Sequence, residues 1–151
     1  MTWNCASVAA DHEGRRLVSM KSISANLKGA TILVLEDHQD TAELLQMCLT
    51  QEGAKVICAH TAAEAISAIR QNKPNVVISD LTLPDVDGFS FIKALRQMPV
   101  EEGGQVPVIA LTGATGDDFR LRVLVAGFQG YVSKPFDPTE LVVIVSGWIK
   151  K

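Results

Sequence analysis

The chain has no cluster of lysine or arginine larger than an adjacent pair, and its net charge is −3. This excludes a general electrostatic pull toward nucleic acid or anionic lipid, so neither is an expected direct partner. Long hydrophobic runs are also missing. The late run Leu141–Val145, with Trp148 and Ile149 close behind, is too short to span a bilayer, and the start, MTWNCASVAADHEGRR, has no basic flank leading into a long apolar stretch. Neither a signal peptide nor a membrane span is expected. Cysteine is scarce and odd in number, with Cys5, Cys48 and Cys58 standing apart from any metal-ligand spacing. Cys48 and Cys58 lie in apolar segments, where a free thiol packs as a small hydrophobe, and this suits a reducing cytoplasm. Low-complexity segments and sequence repeats are absent too.

What is present is an alternation of two periods. At 151 residues and 47% apolar, the chain is the size of one domain with a substantial core. TILVLE (31–36) is a β-branched apolar run, and DTAELLQMCLTQEG (40–53) then places Ala42, Leu45 and Leu49 at helical spacing before a glycine stop. KVICAH (55–60) is strand-like. In TAAEAISAIRQN (61–72), Thr61 is a plausible N-cap with Glu64 at the capping-box position, and Ala62, Ala65, Ile66 and Ile69 share a face. NVVIS (75–79), QVPVIAL (105–111) and GYVS (130–133) supply three more strands, with helices near 87–98, 116–126 and 137–149. Three of the strands are nearly continuous apolar runs, which predicts an α/β fold with a parallel sheet covered by helices on both faces. Residues 1–28 precede this rhythm and read as a helical or mobile N-terminal extension to a domain spanning 29–151.

In such sheets ligands bind beyond the carboxyl ends of the strands. Here those ends carry Glu36 and Asp37, then Asp80, Thr112 and Lys134. One such residue alone reads best as a solvated loop side chain, but five at the ends of four strands do not. Carboxylates gathered this closely repel unless a cation neutralises them or one of them titrates abnormally. Few oxygen ligands with room for water suit Mg²⁺ better than Ca²⁺. An ionised aspartate beside that metal can attack phosphorus to give an acyl phosphate, with Lys134 neutralising phosphoryl oxygens. Asp80 is the expected nucleophile.

LVLED (33–37), ISDLTLPDVDG (78–88), IALTG (109–113) and GYVSKPF (130–136) together resemble the receiver domain of two-component response regulators, over residues 31–150. The wording is closest to receivers attached to hybrid sensor kinases. The resemblance implies a flavodoxin-like (βα)5 three-layer sandwich with strand order 2-1-3-4-5. It also implies that Asp80 is phosphorylated, that Asp37, Asp80 and the carbonyl of Thr82 bind Mg²⁺, and that Glu36 helps through water. Lys134 would contact the phosphoryl group, Thr112 would move toward it, and Tyr131 would turn inward. The Lys134–Pro135 bond is expected to be cis. The expected donor is a sensor histidine kinase or a histidine phosphotransfer protein. Thr82 and Ala114, two residues after Asp80 and Thr112, would set the phosphoryl lifetime, and Ala114 cannot orient a water by hydrogen bonding.

Competing readings are weaker. A haloacid-dehalogenase-type aspartyl phosphatase needs a second aspartate two residues after the nucleophile, where Thr82 stands, so self-phosphorylation and self-dephosphorylation without metabolic turnover are expected. A nucleotide-binding Rossmann-like module needs a glycine-rich loop after the first strand, where EDHQD would repel a pyrophosphate. His38 and His60 lack a second ligand at metal spacing. Asp85 and Asp87 read as turn and cap residues, and Met47 and Met98 as core filler. With no DNA-binding, kinase or enzymatic region after the receiver pattern, the output is expected to be another protein, or the chain is a relay intermediate or detached hybrid-kinase receiver. The last helix carries more apolar residues than one buried face needs. With Leu121, Val123, Leu124 and Val125 before it, it suggests a homodimer or partner face through the last two helices and the last strand.

Overall fold

The computed structural model describes residues 27–81, 86–113 and 117–149. Thr82, Asp85, Ala114 and all but the last two residues of the 1–28 extension therefore lie outside the described residues, as do Cys5 and His12. Among the described residues five strands alternate with five α-helices: β1 Thr31–Leu35, α1 Gln39–Gln51, β2 Lys55–Ala59, α2 Ala62–Asn72, β3 Val76–Asp80, α3 Gly88–Arg96, β4 Val108–Thr112, α4 Asp117–Ala126, β5 Gly130–Ser133 and α5 Pro138–Ser146. A short 3-10 turn, Val100–Glu102, precedes β4. All pairings are parallel and the order is β2-β1-β3-β4-β5. This is the flavodoxin-like order expected from the resemblance. Among the described residues no helix is long and apolar enough to cross a membrane.

The pleat sorts each central strand onto two cores. Leu33, Leu35, Val77, Val108 and Ala110 face α2, α3 and α4, where Ala65, Ile69, Phe91, Ile92, Leu95 and Val123 are buried. Ile32, Val34, Val76, Ile78, Ile109 and Leu111 face the other way, onto Leu45 and Leu49 of α1 and Leu141, Val142 and Val145 of α5. Each such side chain contributes about 1.5–3 kcal/mol when removed from water, which is why the continuous apolar runs become the middle of the sheet. Leu27, fully buried, closes the second core and donates its N–H to the Glu52 carbonyl at 3.0 Å.

The helix starts follow their caps. Thr61 Oγ1 accepts from the Glu64 N–H at 3.1 Å, while Glu64 Oε1 reaches back to the N–H of His60 at 2.8 Å, one residue before the cap. Asp87 caps α3 through the Ser90 N–H, as the turn-and-cap reading expects. The fourth strand begins later than the pattern predicts. Pro107 has no N–H to offer a ladder, so the pairing with β3 runs from Val108, and the Pro107 carbonyl instead accepts from Val77. The last helix ends at Ser146, leaving Trp148 and Ile149 beyond it. Met47 is 52% exposed on α1, contrary to the core-filler reading, because Ala42, Leu45, Cys48 and Leu49 already fill that helix's inner stripe.

Candidate active site

Beyond Leu35 the chain turns out of the sheet at Glu36 and Asp37, and the order reverses across β1, whose neighbours are β2 and β3. The crevice at that reversal receives the ends of both strands. Glu36 donates its N–H to the Ala59 carbonyl of β2, which turns its side chain inward, where it is 1% exposed; Asp37, the next residue, is exposed. Asp80 closes β3 opposite Leu111 and is 6% exposed. Ser79 Oγ donates to the Asp80 carbonyl at 2.9 Å. One carboxylate oxygen from each of Glu36, Asp37 and Asp80 lies within 4.8 Å of the others.

Lys134 enters from β5. Its N–H bonds the Thr112 carbonyl at 2.8 Å, which carries the lysine past the end of β4, and the Lys134–Pro135 bond is cis. Its Nζ stands 3.4 Å from Asp80 Oδ1 and 3.5 Å from Glu36 Oε1. Thr112 ends β4 and is 5% exposed. Tyr131 lies half-buried on β5, paired with Ala110, and its hydroxyl accepts from Arg120 Nε at 2.6 Å. Glu36, Asp37, Asp80 and Lys134 thus converge as their strand-end positions predict, and Thr112 ends the neighbouring strand with its carbonyl bound to the Lys134 N–H. Tyr131 sits to one side of them, and Thr82 lies outside the described residues.

Two features of the site were not read from sequence. Gly88 packs its Cα so closely on the end of β3 that an added Cβ would lie 2.7 Å from the Leu81 Cα and 3.2 Å from the Asp80 carbonyl oxygen. The signal was the glycine in PDVDG, which a turn alone also explains. The second is the depth of Glu36. Burial raises its pKa first of all, the Asp80 carboxylate raises it further, and the His38 N–H bond and Lys134 oppose the rise.

A hard divalent cation fits these residues. Among the described residues, Glu36 Oε1 is buried without a hydrogen-bond partner, and three oxygen donors converge, two of them in ion pairs with the Lys134 ammonium. Oxygen-only donors in small number are the set that Mg²⁺ takes with water completing its shell.

Comparison with known proteins agrees with this architecture. The family model for the response regulator receiver domain matches residues 32–146. An uncharacterized 14.6 kDa protein of Leptolyngbya boryana, from the sodA1 3′ region, is 40% identical over 114 residues, which is 76% of this chain and 86% of that protein. The response regulator SaeR of Staphylococcus aureus is 29% identical over 120 residues, and the chain spans about half its length, 50%. Among solved structures, the receiver domain of the sensor histidine kinase PA1611 from Pseudomonas aeruginosa aligns with TM-score 0.71 and 30% identity, covering 80% of this chain and 97% of that one. That structure holds a magnesium ion coordinated in its active-site cleft. By sequence match and by fold, the chain belongs to the response regulator receiver domain family of two-component signalling.

Proposed function

We propose that the chain accepts a phosphoryl group on Asp80 from the phosphohistidine of a sensor histidine kinase or histidine phosphotransfer protein. The observation that carries this reading is a buried aspartate at the end of the central strand, 3.4 Å from a lysine ammonium and grouped with two further carboxylates. A carboxylate oxygen of Asp80 attacks phosphorus, the N–P bond of the donor breaks, and its electron pair returns to the imidazole nitrogen, leaving an acyl phosphate. Mg²⁺, held by Glu36, Asp37, Asp80 and the Thr82 carbonyl, would neutralise phosphoryl oxygens during transfer. Lys134 supplies a second positive charge from the β5 side. The Thr112 hydroxyl then donates to a phosphoryl oxygen, drawing the end of β4 toward Asp80 and Tyr131 inward behind it.

The change is read on the face formed by α4, β5 and α5, since Thr112 leads into α4 and Lys134 directly follows β5. Three apolar residues of α4 are open there: Leu121 is 61% exposed, Leu124 46% and Val125 77%. A protein partner or a second copy of the chain is the proposed reader. Residues 29–151 are proposed as the receiver unit.

Incubation with acetyl phosphate and Mg²⁺, followed by intact-mass measurement, tests the reading. The parent chain is expected to gain one phosphoryl group and Asp80→Asn none, because an amide is not a nucleophile. Full labelling of the Asn variant would remove Asp80 from the role.

A further inference from the structure

Helix α4 buries a narrow stripe against the sheet and leaves much of its apolar surface open. Among its described side chains Val123 alone is fully buried, with Phe119 and Ala126 partly buried against the same core, so its inner stripe is narrow, and Leu121, Leu124 and Val125 face outward. Its outer contacts run through two arginines. Arg122 places its guanidinium carbon 4.9 Å from the Phe89 ring centre and 5.8 Å from that of Phe119, and Phe89 in turn meets Phe119 and Phe128 edge to face. Arg120 lies 5.1 Å from the Tyr131 ring centre while Nε donates to the Tyr131 hydroxyl at 2.6 Å. One guanidinium therefore takes both the ring and the hydroxyl of the same tyrosine, and it joins α4 to β5.

The far end of α4 is tied differently. Arg96, at the end of α3, donates from Nε and Nη2 to the Gly127 carbonyl at 3.1 and 2.8 Å, and from Nη2 to Gln129 Oε1 at 2.9 Å. Its Nη1 also binds the carbonyls of Gly104 and Val106. This half-buried set fastens the segment after α4 to the start of β4, and Gln129 Oε1 also accepts from the Val108 N–H. The end of α4 away from Asp80 is thus pinned by several bonds from one arginine, and the end near Thr112 is held to β5 by Arg120 at the surface. Movement of Tyr131 away from the front of α4 breaks the Arg120–Tyr131 contact.

We infer that Arg120 is a latch on Tyr131 that holds α4 and β5 in the unphosphorylated arrangement and so lowers the affinity of the site for a phosphoryl group. The inference rests on the proposal that Asp80 phosphorylation draws Tyr131 inward. A contact made in only one of two states biases the equilibrium by its own free energy. A surface cation–π contact together with a charge-assisted hydrogen bond is enough to shift apparent affinity by roughly five- to tenfold.

Tyr131 is the chain's only tyrosine, so a tyrosine-selective isotope label yields one ring signal. In the full chain, that signal and the half-saturating concentration of beryllofluoride with Mg²⁺ are measured for the parent, Arg120→Ala, Tyr131→Phe and the double variant; the ring signal is read in the two chains that keep Tyr131. Arg120→Ala is expected to move the Tyr131 signal before any beryllofluoride is added and to lower the half-saturating concentration about five- to tenfold. In the Tyr131→Phe background the same change is expected to lower it by less, since the hydroxyl bond is already gone. Loss of an ordinary packing contact would raise the concentration or leave it unchanged. A parent that responds to beryllofluoride while Arg120→Ala leaves the Tyr131 signal or the half-saturation point where it was overturns the latch. A parent that gives no Mg²⁺-dependent response overturns the phosphoacceptor reading itself, and the latch with it.

Discussion

Glu36 is a glutamate in the wrong solvent. Its carboxyl is 1% exposed, one oxygen has no hydrogen-bond partner, and burial pushes its pKa up. In the metal-free protein the folded state therefore holds this proton more tightly than the unfolded chain does. That contribution to stability is complete below the ordinary glutamate pKa and is lost as pH rises through the raised folded value. Mg²⁺ binds the ionised form and should reverse the loss, so the Mg²⁺-induced rise in melting temperature is expected to be larger at about pH 8 than at about pH 5. Glu36→Gln removes the buried charge; it is expected to stabilise the metal-free protein at neutral pH and to shrink the Mg²⁺ effect. Equal Mg²⁺ shifts at both pH values would argue against Glu36 as the responsible group. Lys134 makes the opposite test, because its ammonium faces two of the same carboxylates from β5. Lys134→Ala should keep the Mg²⁺-dependent melting shift while phosphorylation by acetyl phosphate falls, since the lysine serves phosphoryl oxygens rather than the cation. Loss of both together would show that the lysine only holds the acids in place.

At the scale of elements, the junction between β3 and α3 decides where Asp80 points. The Gly88 N–H bonds the Leu81 carbonyl at 2.8 Å, and the helix start rests against backbone, with no room for a Cβ. Gly88→Ala must push α3 away from the end of β3. The expected cost is about 1–3 kcal/mol, read as a lower urea midpoint. Because the same contact lies 3.2 Å from the Asp80 carbonyl oxygen, Mg²⁺ affinity is expected to fall as well. An unchanged midpoint with unchanged Mg²⁺ binding would show that the junction yields freely.

At the scale of the whole molecule, the apolar surplus of the last two helices divides in two. Leu141, Val142 and Val145 of α5 are buried and Val123 of α4 is buried, which accounts for part of the surplus within one chain. Leu121, Leu124 and Val125 remain open, and Trp148, past the end of α5, is 39% exposed. Sedimentation with Mg²⁺, with and without beryllofluoride, is expected to show self-association in the loaded state, and Val125→Glu is expected to prevent it. A monomer in both states would leave the face to a different protein, to be tested by direct binding.

The sequence by itself determined the alternation of strands and helices and the ends on which polar residues fall. Continuous apolar runs such as Val76–Ile78 and Val108–Leu111 can only be stable where both faces are covered, and a strand end is where such a run stops. It also determined that Asp87 and Thr61 start helices, because a cap is a local bond. Only the tertiary structure decided which of the adjacent acids, Glu36 or Asp37, is buried, because that depends on how the turn after β1 is held by Ala59 of a different strand. It alone showed Met47 outside, since the inner face of α1 is claimed by neighbours from β1, β2 and α5. And it alone brought Arg120 to Tyr131 and Arg96 to Gly127, contacts between side chains and backbone of separate elements whose meeting is set by packing of the whole sheet, for which no local spacing carries a signal.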